Sequence, residues 1–171
     1  MFRGRRSILA GAEGTGLRGK GNALIAVDTN LLVYAHRKDS PHHEEAAAVL
    51  RQLTQGPAPW GLPWPCVHEF LAVVTHRRIY QPPTKMPLAL QAMTAITDLP
   101  QVQILGETAD HLSILGDLMR TPGVVGPKVH DARIAAICVG HGVSTMWSAD
   151  RDFSWFSRLS VHNPLAAAKR A

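Results

Sequence analysis

The sequence predicts an α/β fold in which a central parallel sheet of about four to five strands is flanked by helices. Short apolar runs alternate along the chain with longer amphipathic segments, and polar residues follow directly after several of the apolar runs. Strands buried on both faces read as continuous apolar runs, whereas helices repeat apolar residues every third or fourth position. At 171 residues, the chain is long enough to fold around one core without disulfides or a structural metal.

The N-terminal half predicts one strand and three helices. The strand covers residues 24–27 and ends in the polar tripeptide Asp28-Thr29-Asn30, after which the apolar run 31–35 can enter a helix. A second helix is predicted at 42–55, where strong helix formers end at Gly56-Pro57. The remaining predictions are a turn-rich connection at 57–65 and an amphipathic helix at 67–80, which is stopped by Pro82-Pro83 and holds Glu69 in its first turn.

The C-terminal half continues the alternation of helices and strands. Its predicted helices are 87–99, 108–119 and 130–140, and its predicted strands are 102–105, 143–147 and 159–161. A polar cluster at 148–152 follows the strand at 143–147. Because active sites in α/β folds form at the carboxyl ends of strands, this cluster is expected to share an edge of the sheet with Asp28.

The cysteines and tryptophans predict core packing rather than chemistry. Cys66 and Cys138 lie in apolar stretches without the spacing of a zinc site, so we expect buried, reduced thiols. Trp60 and Trp64 are interpreted as core residues, with an interface role as the alternative.

Charge gives little indication of the partner. The formal net charge is +5, but residues 1–22 carry five basic residues and one acid, which leaves +1 for the rest. Residues 1–22 are rich in Gly and Arg and show no periodicity, so we expect a disordered leader that is either an expression tag or a misassigned start. No apolar run reaches the roughly 18 residues of a membrane span, which predicts a protein without a membrane partner.

Five acidic residues stand out by their neighbours. They follow a strand or begin a helix: Asp28, Glu69, Asp131, Asp150 and Asp152. Taken singly, each has an ordinary explanation as a helix cap, a partner of the helix dipole or a polar loop residue. Gathered in one pocket they would repel one another unless a divalent cation neutralised them, and oxygen ligands favour Mg²⁺ or Mn²⁺ over zinc.

Four segments, in this order, resemble the motifs of the PIN-domain family, in particular the VapC toxins of VapBC toxin–antitoxin pairs. They are IAVDTNLLVY at 25–34, HEF at 68–70, HDARIAA at 130–136 and DRDF at 150–153. The ending HNPL at 162–165 resembles the family's last strand, so the similarity covers about residues 24–165. A D-T-N tripeptide alone is a weak signal, but four motifs in the same order are strong.

The resemblance implies a PIN-like fold over residues 23–171 and a metal-dependent endoribonuclease that cleaves tRNA or rRNA. It implies a catalytic set of Asp28, Glu69, Asp131, Asp150 and Asp152, in which Asp28, Asp131 and Asp150 bind one or two Mg²⁺ or Mn²⁺ ions. Whether Asp150 or Asp152 is the fourth acid stays open. Supporting positions are Ser148 and also Thr29 and Asn30, which are expected to hydrogen-bond and orient Asp28, with helix capping as their alternative role. Arg133 and Arg151 are candidates for contacts to RNA phosphates. It further implies a homodimer in the cytoplasm and a cognate VapB-type antitoxin that enters the acidic groove with an arginine.

Other functions fit less well. A phosphatase of the haloacid dehalogenase type requires D-x-D after the first strand, but Asn30 occupies the third position. Neither H-E-x-x-H nor G-x-S-x-G occurs, which disfavours a zinc protease and a serine hydrolase. The alternative from a different class is a catalytically inactive PIN-like module that binds RNA or protein.

Overall fold

A five-stranded, fully parallel sheet forms the centre of the molecule. The computed structural model describes residues 24–166, so the prediction of a disordered leader at 1–22 lies outside the described residues. The strands are β1 (Ile25–Val27), β2 (Trp60–Pro63), β3 (Val102–Leu105), β4 (Thr145–Trp147) and β5 (Ser160–His162). They are arranged in the order β3-β2-β1-β4-β5. The predicted fold class is therefore confirmed.

Helices connect the strands. They are α1 (Thr29–His36), α2 (His43–Gln55), α3 (Trp64–Val74), α4 (Met86–Thr97), α5 (His111–Leu118) and α6 (Lys128–Gly140). A 3₁₀ turn, Asp152–Trp155, follows β4 and begins at the last residue of the predicted polar cluster at 148–152. No helix within residues 24–166 combines the length and the apolar character needed to cross a membrane.

The prediction of a turn-rich connection at 57–65 is wrong, because strand β2 occupies part of it. Gly and Pro in this segment favour a turn locally, yet all four residues of β2 are buried between β1 and β3. Trp60 pairs with Ile25 on one side and with Val102 on the other. A Cβ on Gly61 would lie 2.6 Å from Cδ1 of Leu105, so a residue without a side chain permits the close packing. Tertiary packing therefore overrides the local preference.

Helix α3 begins three residues earlier than the predicted start at 67 and ends at Val74, well before 80. Pro65 lies in its first turn, a position where a missing backbone N–H costs nothing. Glu69 consequently lies in the second turn of α3 rather than in the first. Strand β2 runs directly into this helix, so the carboxyl edge of the sheet supplies its beginning.

The core residues agree with the sequence prediction except at one tryptophan. Cys66 and Cys138 are fully buried and form no disulfide, as expected. Trp60 is also fully buried, but Trp64 is 46% exposed, so its interpretation as a core residue is wrong. Helix α6 is buried in its central part, at Ala132 and at residues 134–138.

The strand order fixes where side chains from distant segments meet. The chain moves from β1 outward to β2 and β3, and then returns past β1 to β4 and β5. The carboxyl end of β1 is therefore the point where the direction of winding reverses, which is the usual binding crevice of an open parallel sheet.

Candidate active site

One pocket at the carboxyl end of β1 brings all five predicted acids together. It encloses about 240 Å³ and is lined by Asp28, Glu69, Asp131, Asp150 and Asp152, together with Thr29 and Asn30. The acids come from four separate places: the end of β1, the second turn of α3, the first turn of α6, and the segment after β4. The winding of the sheet, rather than proximity in sequence, is what brings them together.

Asp28 is the most constrained of these acids. It is only 6% exposed and caps the N-terminus of α1, where Thr29 donates its backbone N–H to Oδ1 of Asp28 at 2.7 Å. The other carboxylate oxygen, Oδ2, accepts from Asn30 Nδ2 at 2.6 Å and from Ser148 Oγ at 2.7 Å. Helix capping and a functional role are thus compatible at this residue, since the cap fixes the side chain at the pocket.

Ser148 connects the ends of β1 and β4. Its fully buried hydroxyl donates to Asp28, accepts from Asn30 Nδ2 at 2.9 Å and accepts from the backbone N–H of Asp150 at 2.9 Å. Asn30 Oδ1 in turn accepts from the backbone N–H of Ala149 at 3.1 Å. These bonds hold the segment that carries Asp150 against the segment that carries Asp28.

Thr29 bonds a second acid in addition to Asp28. Its hydroxyl donates to Oε2 of Glu69 at 2.7 Å, whereas only its backbone N–H bonds Asp28. Thr29 is 5% exposed, so this contact restrains Glu69 from the buried side of the pocket. The sequence did not indicate it, because the two residues lie 40 positions apart.

The pocket is electrostatically unfavourable for its own carboxylates. Burial is the main cause that raises the pKa of Asp28 from 3.8 to about 7, and the negative charges of Glu69 and Asp150 add to the effect, while the bond from Ser148 opposes it. Burial likewise raises the pKa of Asp131, with further contributions from Asp152, Asp150 and Glu69. A cation in the pocket would relieve both the burial cost and the repulsion.

The donor set fits a hard divalent cation in its chemistry. All five acids offer carboxylate oxygens, and no sulfur or imidazole donor lines the 240 Å³ pocket. Among residues 24–166, however, no three Asp, Glu, His or Cys side chains converge closely enough to hold one ion. The pocket therefore has the ligands for Mg²⁺ or Mn²⁺, but not a closed coordination shell.

The two arginines expected near the site differ in position. Arg133 lies in a groove next to the pocket, where its Nε donates to Oε1 of Glu107 at 2.8 Å. Arg151 is exposed and is not among the residues that line the pocket or this groove. Of the two, only Arg133 lines the groove beside the pocket, although Arg151 lies between Asp150 and Asp152 in the chain.

Two aromatic residues on the pocket wall were missed by the sequence analysis. Tyr34 and Tyr80 both line the pocket. The guanidinium of Arg37 lies 4.1 Å from the centre of the Tyr80 ring, and the same group donates to the carbonyl of Pro82 at 3.1 Å. Tyr34 belongs to the first motif and could have been found there. Tyr80 gives no such signal, since it reaches the pocket through the segment after α3.

Comparison with known proteins identifies relatives over most of the chain. The family model for the PIN domain matches residues 25–159. Ribonuclease VapC43 of Mycobacterium tuberculosis is 34% identical over 142 residues, which cover 83% of this chain and 96% of that protein. Ribonuclease VapC48 of the same species is 30% identical over 139 residues, which cover 81% of this chain and 96% of the relative.

Solved structures with the same fold are more distant in sequence. VapBC2 from Rickettsia felis, bound to a DNA fragment from its promoter, superposes with a TM-score of 0.60 at 17% identity and covers 82% of this chain and 98% of its own. VapC20 of Mycobacterium tuberculosis, a toxin that cleaves the sarcin–ricin loop, gives a TM-score of 0.57 at 19% identity, with 76% and 92% covered. These matches agree with the parallel sheet and its strand order.

Proposed function

Since the chain belongs to the PIN domain family, and within it to the VapC ribonucleases, we propose that it is an endoribonuclease toxin that depends on Mg²⁺ or Mn²⁺. The observation that carries this proposal is the convergence of five carboxylates from four segments in one 240 Å³ pocket at the carboxyl edge of the sheet. Such a cluster has little value for stability, because burial and mutual repulsion raise the pKa of Asp28 and of Asp131.

Asp28, Asp131 and Asp150 are the proposed metal ligands. A bound Mg²⁺ or Mn²⁺ would lower the pKa of the attacking water and neutralise charge on the scissile phosphate. Asp28 presents a fixed carboxylate because Thr29, Asn30 and Ser148 hold both of its oxygens. The charge of Asp131 depends on its surroundings, since burial and neighbouring acids raise its pKa.

The remaining residues orient this set. Glu69, held by the Thr29 hydroxyl at 2.7 Å, is placed to accept a proton from water or to bind the ion through water. Ser148 and Asn30 keep the segments after β1 and β4 together, which fixes Asp150 relative to Asp28. Because water attacks rather than the ribose 2′-hydroxyl, the products should carry a 5′-phosphate and a 3′-hydroxyl.

The test is cleavage of total tRNA and rRNA by the purified protein with Mg²⁺ or Mn²⁺, beside an EDTA control. We expect metal-dependent cutting that is abolished by Asp28→Asn and Asp131→Asn and unchanged by Asp98→Asn, a matched exposed acid outside the pocket. Mapping of the cut ends tests the products and identifies the RNA. Comparing Asp150→Asn with Asp152→Asn determines which of them is the fourth acid, since only the ligand should be essential. Cutting that persists in EDTA would refute metal dependence.

A non-catalytic PIN-like module is the second candidate. One observation favours it: within residues 24–166 no three potential ligands converge on a common point. On that reading the purified protein binds RNA or a protein partner, shows no heat of binding with Mg²⁺ or Mn²⁺, and leaves every RNA intact.

The same pocket suits an antitoxin as its physiological partner. A cognate VapB-type antitoxin whose arginine enters the pocket would pair with several carboxylates at once, and a guanidinium binds carboxylates in a bidentate manner. A solved structure with this fold, from Klebsiella pneumoniae, is a toxin–antitoxin complex. We further propose a homodimer, to be checked by light scattering on the purified toxin. Asp28→Asn should weaken antitoxin binding, whereas Asp98→Asn should not.

A further inference from the structure

A groove leads away from the acidic pocket between α3 and α6. Its near part, about 530 Å³, shares Glu69, Asp131 and Ile134 with the pocket. Its far part, about 370 Å³, is lined by Trp64 and shares further residues with the near part. The three spaces therefore form one continuous path from the carboxylates to Trp64.

An aromatic stack stands at the far end of this groove. Trp64 and His68 are four residues apart on α3, which places them on the same face of the helix. Their ring centres are 5.7 Å apart and the ring planes differ by 21°, so the rings are stacked. Trp64 is 46% exposed, whereas Phe70 on the same helix is fully buried. An exposed, nearly parallel pair of rings is a surface that a third flat ring can extend.

The groove also brings a cation beside the acids. Its near part is lined by Glu69 and Asp131, which it shares with the pocket, and by Arg133, His68 and His130. Glu107 holds Nε of Arg133 at 2.8 Å, but among the described residues neither Nη atom of Arg133 is hydrogen-bonded. A half-exposed guanidinium with free donors next to stacked rings is complementary to a phosphate followed by a base.

The spacing agrees with a single strand that passes through the catalytic pocket. Glu69 and Trp64 are five positions apart on α3, which corresponds to about 7.5 Å along the helix axis. A nucleotide that flanks the scissile phosphate can therefore reach the stack without leaving the groove. Unpaired bases are the ones that are available for such stacking, because bases in a duplex already stack on each other.

We propose that Trp64 and His68 form a base-stacking platform for an unpaired nucleotide beside the scissile phosphate, with Arg133 binding the phosphate between them. This inference rests on the proposed ribonuclease function and deepens it, because it assigns the residues that bind the nucleotide next to the scissile phosphate. The stacked rings, the free Nη donors of Arg133 and the continuity with the acidic pocket favour RNA over a protein segment as the occupant.

The test is a cycle that combines Trp64 substitutions with removal of single bases from the RNA. The probe is a short, labelled single-stranded RNA, and the protein carries Asp131→Asn so that the RNA stays intact in Mg²⁺. Trp64→Ala should weaken binding by about 5- to 150-fold, and Trp64→Phe should restore most of it. At one position in the RNA, removing the base should weaken binding to the protein that retains Trp64 by the same factor as Trp64→Ala does. The same abasic RNA should bind Trp64→Ala no more weakly than the intact RNA does.

Matched controls separate the groove from the rest of the surface. Trp155 is 42% exposed, stacks against Lys128 and lies outside the groove, so Trp155→Ala should leave RNA binding unchanged. Arg133→Gln should lower the slope of log Kd against log salt by about 1, whereas Arg120→Gln, an exposed arginine elsewhere, should not. Circular dichroism of each variant verifies that it is folded.

The outcomes distinguish this inference from the proposed function. If the unsubstituted protein cleaves RNA but neither binding nor any abasic position depends on Trp64, the stacking platform is refuted and the nuclease stands. If binding depends on Trp64 but no metal-dependent cleavage occurs, the platform stands and the nuclease fails. The inference is also overturned if the oligonucleotide does not bind, or if Trp64→Ala impairs antitoxin binding alone.

Discussion

Replacing Asp28 by asparagine should stabilise the metal-free protein, and increasingly so as the pH rises. Burial raises the pKa of Asp28 from 3.8 to about 7, so the folded state holds this proton more tightly than the unfolded chain does. A carboxyl group of this kind contributes stability below about pH 4, and the contribution is lost as the pH rises through about 7. An amide has no proton to lose and should not show this decline.

The size of the effect follows from the two pKa values. A difference of about 3 between the folded and unfolded states corresponds to about 4 kcal/mol in the free energy of unfolding. Of this, about 2.5 kcal/mol should be lost between roughly pH 5 and pH 8. The substituted amide also presents an NH₂ group to the donors Asn30 and Ser148, but that cost does not vary with pH and cancels when slopes are compared.

Urea unfolding in EDTA across this pH range measures the effect. The free energy of unfolding of the unsubstituted protein should fall relative to that of Asp28→Asn up to about pH 7 and then run parallel to it. The matched variant Asp98→Asn, at an exposed position, should follow the unsubstituted protein throughout. Parallel curves for the unsubstituted protein and Asp28→Asn would refute the assignment of a high pKa to this buried carboxyl. Mg²⁺ or Mn²⁺ at pH 8 should then stabilise only proteins that retain Asp28.

Three further substitutions test the network and the fold. Ser148→Ala removes a buried hydroxyl that bonds Asp28 at 2.7 Å, so the cleavage rate should fall by about 10- to 100-fold. The control Ser154→Ala, at an exposed position, should have no effect. Equal cleavage rates for Ser148→Ala and the unsubstituted protein would show that Ser148 does not orient the site. Thr29→Val removes the 2.7 Å bond to Glu69 with little change of shape, so kcat should fall by about 10-fold with KM unchanged. A change in KM alone would instead place Glu69 in substrate binding. Gly61→Ala would bring a Cβ within 2.6 Å of the buried Leu105, so thermal unfolding should show a loss of about 1–3 kcal/mol, and a neutral result would contradict the close packing of β2 against β3.

The parts of the fold that the sequence predicted are those with a repeating local signal. Helices α2, α4, α5 and α6 differ from their predicted bounds by three residues at most, because apolar periodicity extends over several turns. The strands β1, β3, β4 and β5 were predicted from another local signal, a short apolar run between polar segments.

The failures occur where local composition and tertiary environment disagree. Strand β2 contains Gly61 and Pro63, which favour a turn, and only its burial between two neighbours makes it a strand. The start of α3 was missed because the same Pro-rich segment hides it, and Glu69 was therefore assigned to the wrong turn. The prediction of Trp64 as a core residue is wrong, because its exposure depends on which face of α3 it occupies.

For the site, the sequence by itself determined the set of candidate residues: five acids, two polar neighbours of Asp28, and Ser148, in an order that resembles a known family. Only the tertiary structure decided how they are connected, since Thr29 bonds Glu69 rather than orienting Asp28 with its hydroxyl, and Ser148 bonds Asp28 across 120 positions. Hydrogen bonds and burial depend on distances between segments that are remote in the chain. Those distances are set by the order of strands in the sheet, and local sequence patterns do not encode them.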